Sequence, residues 1–277
     1  MSLELLTRAP VGLLPVMIFL VILLYMDSYK LVSLRAVLAV IVMGGLTALA
    51  AMFLNSGLLG VTEMPFKPYS RYVSPVVEEM LKAMIIVYLF RSHRIGFLVD
   101  SAIMGFAVGA GFALVENLQY LQLQSTAGFG VWIVRGFGTA IMHGGVTAMF
   151  AIMSQALTER QMKINPFYYL PGLAVAIFLH SIFNHFLVAP MLQTAGTLVV
   201  LPPLVKLVFQ KSSAALHEWL ELDFDADTEL IEMIDSGHFT ESKIGHFLDD
   251  LRKKFEGPIV VDMLCYLRVY TELAIRA

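Results

Sequence analysis

Residues 74–84 read SPVVEEMLKAM and set Glu78, Glu79 and Lys82 inside an apolar run from Tyr72 to Phe90. Each ionised group placed in hydrocarbon costs at least about 2.5–3.5 kcal/mol, so such residues face a bundle interior and by default mark function. The next three apolar stretches carry Glu116, then His143, then His180 with Asn184 in HSIFN. These are the residue types of a hydrolytic centre. Glu116, His143 and His180 could hold a Zn²⁺ with an open fourth position. Glu78 or Glu79 would then be the general base that takes a proton from water. Without a metal, a buried carboxylate activates water directly, while a histidine and Asn184 stabilise the oxyanion. Both routes stay open at this point.

The remaining polar residues of these stretches have plainer readings. Lys82 is four residues from Glu78 and three from Glu79, so it neutralises either carboxylate on a helix face, but not both. Arg135 lies near the start of its stretch and can snorkel to the interface. Asp100 lies near Arg94 at a membrane edge, where an ion pair or interfacial position is enough. His93 and His185 read as structural or surface groups.

The elements that must hold these residues follow from composition. The chain has 277 residues, 58% hydrophobic and only 15% charged, with a mean hydropathy of +0.74. A soluble domain is closer to about 45–50% apolar and about 25% charged. The class is therefore an all-α polytopic membrane bundle. About seven spans are expected, near 10–26, 32–54, 72–90, 97–118, 131–157, 167–189 and 196–210. The last is the weakest, because it is short and contains Pro202, Pro203 and Lys206; it could be re-entrant or interfacial. The run after Arg8 has no small-residue cleavage site and reads as a retained anchor.

Charge divides the chain near Gln210. Residues 1–210 carry net +4 and residues 211–277 net −7. This gives a membrane domain followed by an acidic, helical, soluble tail, in which ADTELIEMID and ESKIGHFLDDLRKKF show apolar residues at spacings of three and four. Cys265 is the only cysteine, so no internal disulfide can form. Lys30, Arg35, Arg91, Arg94, Arg160, Lys163 and Lys211 fall on one side of the membrane. That bias puts the tail in the cytoplasm and the N-terminus outside, although Lys67 and Arg71 dissent.

Depth then ties the candidate residues together. Successive spans run in opposite directions at about 1.5 Å per residue. Glu78 and Glu79 lie roughly 10 Å into the third span, Glu116 near the end of the fourth, His143 midway along the fifth, and His180 and Asn184 late in the sixth. Four consecutive helices thus bring carboxylates and imidazoles to one half of the bilayer, the extracytoplasmic half by the loop charges. Gly105 and Gly109 form a small-xxx-small pair that permits close helix packing.

The motifs EEMLK, FALVEN, a lone histidine and HSIFN, in this order on four successive spans, resemble the PrsW family of intramembrane proteases, related to the CAAX prenyl endopeptidase and bacteriocin-processing superfamily. The resemblance covers about residues 70–190. It implies a membrane endopeptidase of a bacterial plasma membrane, with anti-sigma factors among the family's substrates. It also implies site roles for Glu78 and Glu79, for Glu116, for His143, and for His180 with Asn184. The CAAX relatives carry histidine where Glu116 stands and arginine in place of Lys82, which argues against prenylated substrates. The family is often labelled metalloprotease, and a glutamate-type mechanism is an equal reading. The partners expected are a membrane-anchored protein substrate, membrane lipid and a cytoplasmic protein for the tail, with no nucleic acid. Two competing classes remain: a proton-coupled transporter, for which inverted repeats are missing, and a non-catalytic scaffold that recruits partners through the tail.

Overall fold

The computed structural model describes residues 3–27, 32–124, 127–161, 165–220, 243–255 and 257–276. Among these residues every regular element is helical. The long helices are α1 (Leu3–Met26), α2 (Leu34–Thr62), α4 (Ser74–Arg91), α5 (Leu98–Leu123), α7 (Ala140–Gln161), α8 (Leu170–His185) and α9 (Pro190–Leu220). Two short helices, α3 (Phe66–Pro68) and α6 (Phe129–Ile133), run into α4 and α7 through π-helical turns at Tyr69–Val73 and Val134–Thr139. A 3₁₀ turn, Pro166–Tyr169, leads into α8. The tail contributes α10 (Lys243–Lys254) and α11 (Gly257–Arg276).

α5 is the axis of the bundle. Its residues from Val99 to Ala113 are all buried, and it packs against α1, α2 and α7. Glycine makes the closest of these contacts. A Cβ on Gly109 would collide with the backbone of His143 and Gly144 on α7, so the small-residue pair anticipated from sequence sets the α5–α7 distance. The α5 start is capped by its own acid: Asp100 Oδ2 accepts from the backbone N–H groups of Gly96 at 3.1 Å and Phe97 at 3.0 Å. Asp100 is thus a buried cap that satisfies backbone donors at the helix start.

The outer surface is apolar. Leu38, Val42, Leu46, Leu49 and Phe53 on α2 are all exposed, a liability in water and the normal boundary with lipid. Among the described residues, six helical stretches are long and apolar enough to cross a membrane: Thr7–Met26, Leu34–Thr62, Leu98–Leu123, Phe129–Thr158, Pro166–His185 and Pro190–Gln210. The chain is an integral, multi-pass membrane protein. The seventh expected span, α4, is a helix of 18 residues. It falls outside this group because Glu78, Glu79, Lys82 and Arg91 interrupt its apolar sequence. It is nonetheless packed against α2, α5, α7 and α8.

The weakest expected span is a continuous helix. α9 runs through Pro202 and Pro203 and past Gln210 to Leu220, so the composition change falls inside an element. In the tail, the expected helix over 241–255 is present as α10. ADTELIEMID lies outside the described residues. Phe255, just after α10, packs on Phe97 with ring centroids 5.9 Å apart. With Leu251, Val260 and Met263 it forms a small apolar cluster at the foot of α5.

Candidate active site

The first turns of α4 present Glu78, Glu79 and Lys82 to the bundle interior, where all three are buried. Lys82, with no exposed surface, bonds Glu79 Oε1 at 2.5 Å and His143 Nδ1 at 3.1 Å. Its ammonium also lies 4.6 Å from the centre of the Phe112 ring, a cation–π contact. His180 on α8 donates from Nδ1 to the same Glu79 oxygen at 2.7 Å. Its Nε2 faces Glu78 Oε2 at 3.8 Å. The two imidazoles stand edge to face, 4.8 Å apart. Glu78 Oε1 accepts from Ser74 Oγ at 2.5 Å and from Asn55 Nδ2 at 3.3 Å. Glu78 Oε2 is buried and has no hydrogen-bond partner.

The end of α5 and the π turn of Val134–Thr139 supply the other side. His143 Nε2 lies 3.3 Å from Glu116 Oε2. Arg135 Nη2 bonds that same oxygen at 2.9 Å, and Arg135 Nε bonds Asn117 Oδ1 at 2.8 Å. The guanidinium stacks on Tyr120 at 3.5 Å, and Asn117 Nδ2 donates to the Gly12 carbonyl of α1 at 2.7 Å. The π turn presses closely on α1: a Cβ on Gly136 would meet the backbone of Val11 and Gly12. That close approach turns Arg135 inward. Single π turns inside helices recur at functional sites. With an ammonium donating to Nδ1, the neutral His143 ring carries its proton on Nε2, toward Glu116. One chain of side-chain contacts therefore runs Arg135–Glu116–His143–Lys82–Glu79–His180, with Glu78 at its end.

Residues 32–208, well over half of the chain and including every member of this cluster, match the model of the family described as PrsW family intramembrane metalloprotease. The chain belongs to the PrsW family. No curated protein and no solved structure matched it in the corresponding comparisons. Membership makes the protein a membrane protease, and hence a hydrolase acting on protein in the membrane.

Within this PrsW member, Glu78, Glu79, Glu116, His143 and His180 converge, as their shared depth leads one to expect. Asn184 stands apart, donating to the Ser70 carbonyl at 2.9 Å. His180 and Asn184 both reach toward the start of α4, but one meets a carboxylate and the other a backbone carbonyl. Arg135 does not snorkel to the interface; it is pulled inward by Glu116 and Asn117. The sequence reading missed Asn55 and Ser74 as partners of Glu78. Asn55 is a lone amide in the apolar span AAMFLNSGLL, and Ser74 lies one helical turn before Glu78, so both carried a signal.

A cation also finds a donor set here. Glu78, His143 and His180 each offer an atom within 4.8 Å of the others. The unpartnered Glu78 Oε2 and the Nε2 of His180 fit a divalent ion by type and direction. Glu116, the carboxylate expected in that set, is engaged by Arg135. Glu79 behind His180 is the kind of outer partner that fixes ring orientation in metal sites, whereas Lys82, an ammonium with no acceptor, occupies the Nδ1 lone pair of His143.

Proposed function

We propose that the chain is an endopeptidase that cuts membrane-anchored proteins within or at the edge of the bilayer, with Glu78 as the base that activates water. One observation carries the choice of Glu78: its Oε2 is buried without a partner, whereas Glu79 Oε1 is spent on Lys82 and His180. A buried acceptor left unmade costs about 1–3 kcal/mol, and a water is the donor that suits it. The 3.8 Å gap between Glu78 Oε2 and His180 Nε2 suits one bridging water. Glu79 holds the His180 proton on Nδ1, which turns the Nε2 lone pair toward that position.

The water oxygen bonds to the scissile carbonyl carbon as Glu78 takes its proton. The carbon–nitrogen bond then breaks as Glu78 returns that proton to the leaving nitrogen. Lys82 and the proton-bearing edge of His143 supply positive potential for the oxyanion. Glu116 completes the site by orienting His143, and Asn184 orients α8 through its grip on the Ser70 carbonyl. A divalent cation such as Zn²⁺, if held by Glu78, His180 and a His143 released from Lys82 or from its Nε2 proton, would polarise the carbonyl and acidify its bound water.

The family and the loop charges support a finer proposal. The membrane is a bacterial plasma membrane, the site opens to the extracytoplasmic half, and the acidic tail is a separate cytoplasmic module that binds a cytoplasmic protein. An anti-sigma factor is the substrate class to test first. The experiment is cleavage of a library of single-span substrates in liposomes by wild type, Glu78→Gln, Glu79→Gln and His180→Ala, with metal content measured on each folded sample. Loss of cleavage in all three, with stoichiometric zinc that His180→Ala lacks, makes this a metalloprotease. The same loss with an active, metal-free wild type makes it a glutamate-type protease. Cleavage that survives all three substitutions removes this site assignment.

A further inference from the structure

A cavity of about 450 Å³ opens between α6, the π turn and the connection from α8 to α9. Its walls are Gly130, Val131, Val134, Phe186 and Met191, and Arg135 lies in its lining. The volume is in the range of ligand pockets, and a mainly apolar lining with few polar groups is their usual character. Two features connect it to the polar cluster. Arg135 is shared: the residue that lines the cavity also bonds Glu116 at 2.9 Å through its side chain, and Glu116 lies 3.3 Å from His143. The opposite wall is built where α8, the helix of His180, ends at Phe186 with φ 46°. Both walls of the cavity are thus continuations of elements that carry the site.

We propose, on the endopeptidase reading, that this cavity is a specificity subsite that receives a large apolar side chain of the substrate close to the bond that is cut. A peptide fits it better than a lipid tail for a chemical reason. The guanidinium has five N–H groups, and Asn117 and Glu116 engage Nε and Nη2. A peptide brings backbone carbonyls that can accept from the others while its side chain fills the apolar space. The middle of an acyl chain brings no acceptor.

The test varies one substrate residue at a time around the cut site, through Ala, Leu, Phe and Asp, with wild-type enzyme in liposomes. At one position Leu and Phe should exceed Ala by roughly tenfold or more in kcat/KM, the discrimination an apolar pocket supplies, and Asp should be refused. Gly130→Leu then fills the cavity. A Cβ there would meet only Met191 Cε, at 3.7 Å, and leucine is the better helix former. In Gly130→Leu the preference for Leu over Ala should shrink to about twofold or less, well below what an open apolar pocket gives. Val134→Phe narrows the same space from the next turn and is read the same way if Gly130→Leu does not fold. No preference at any position, or a preference unchanged in filled variants that still cut, overturns the subsite. A lipid-filled cavity gives that unchanged preference together with turnover that follows acyl length. A wild type that cuts no member of the library overturns the endopeptidase reading instead, a result distinct from uniform cleavage.

Discussion

Two polar networks meet on α8, and they are built from different bonds. Around His180 nearly every contact joins one side chain to another, and one carboxylate oxygen is left over. Five residues on, most bonds end on backbone carbonyls. Asn184 donates to Ser70, Ser181 to Arg71 at 2.6 Å, Arg71 to His185 at 3.1 Å, and His185 Nδ1 to the carbonyl of Ser181 at 2.7 Å. Tyr72 closes the set by donating to His185 Nε2 at 3.1 Å. The second network ties the π turn before α4 to the end of α8, and so holds Glu78 and Glu79 opposite His180. The difference is one of satisfaction. Groups whose hydrogen bonds are complete hold a structure, whereas a buried carboxylate oxygen with an unmet bond, set against an imidazole, has room for a water or an ion as its partner.

Substitutions at five positions put this contrast under strain. The largest effect belongs to Glu78→Gln, which should lower turnover by about 10²–10⁴-fold, the usual contribution of a general base. Its thermal unfolding should match wild type, because Ser74 and Asn55 can still bond an amide oxygen. Glu79→Gln should also lose activity, but it strands the buried Lys82 ammonium. A broken buried pair costs about 3–5 kcal/mol, and calorimetry of the two variants should separate them. Equal losses of stability would erase the distinction between the two glutamates.

Arg135→Gln comes next. It leaves Glu116 and His143 without their outer partner, and removing such a support typically costs about 10–100-fold in activity. Arg135→Lys should recover part of that loss by keeping the charge, but not the hydrogen bond from Nε to Asn117. Asn184→Ala belongs to the other network. It removes one half-buried hydrogen bond worth about 1 kcal/mol, and should lower the melting temperature while turnover stays within a few-fold of wild type. A collapse of activity without loss of stability would move Asn184 into the chemical cluster. Smallest is Phe255→Ala, which removes an aromatic contact worth about 0.5–1.5 kcal/mol. Limited proteolysis should detach the tail sooner, with membrane-embedded activity unchanged.

Much of the site was legible because hydrocarbon makes polar residues conspicuous. Glu78, Glu79, Glu116, His143 and His180 are expensive in their setting, and helix rise alone puts them at a common depth. Arg135 was legible only as a charge near a helix start, because nothing in VRGFGT announces that a π turn against α1 will rotate it inward. Asn184 sits at motif spacing from His180, yet a turn of helix separates a carboxylate neighbour from a carbonyl neighbour. The expected span 72–90 is present as helix α4, packed among the other helices, although its charges keep it out of the group that length and apolarity alone pick out. Pro202 and Pro203 pointed to a break that is not there, because a proline in a helix loses its N–H bond but can be carried when neighbouring backbone is satisfied.

The amino-acid sequence by itself determined the all-helical membrane class, the order of the helices and the five side chains that converge, since burial cost and helical period act along the chain. Tertiary structure decided which atoms those side chains spend on one another. It assigned one glutamate to Lys82 and His180 and left an oxygen of the other unsatisfied. It gave Arg135 to Glu116 and opened a cavity beside it. Those outcomes depend on distances of a few tenths of an ångström between helices far apart in sequence, set by close contacts such as Gly109 against α7 and Gly136 against α1. Spacing along one helix carries no record of them.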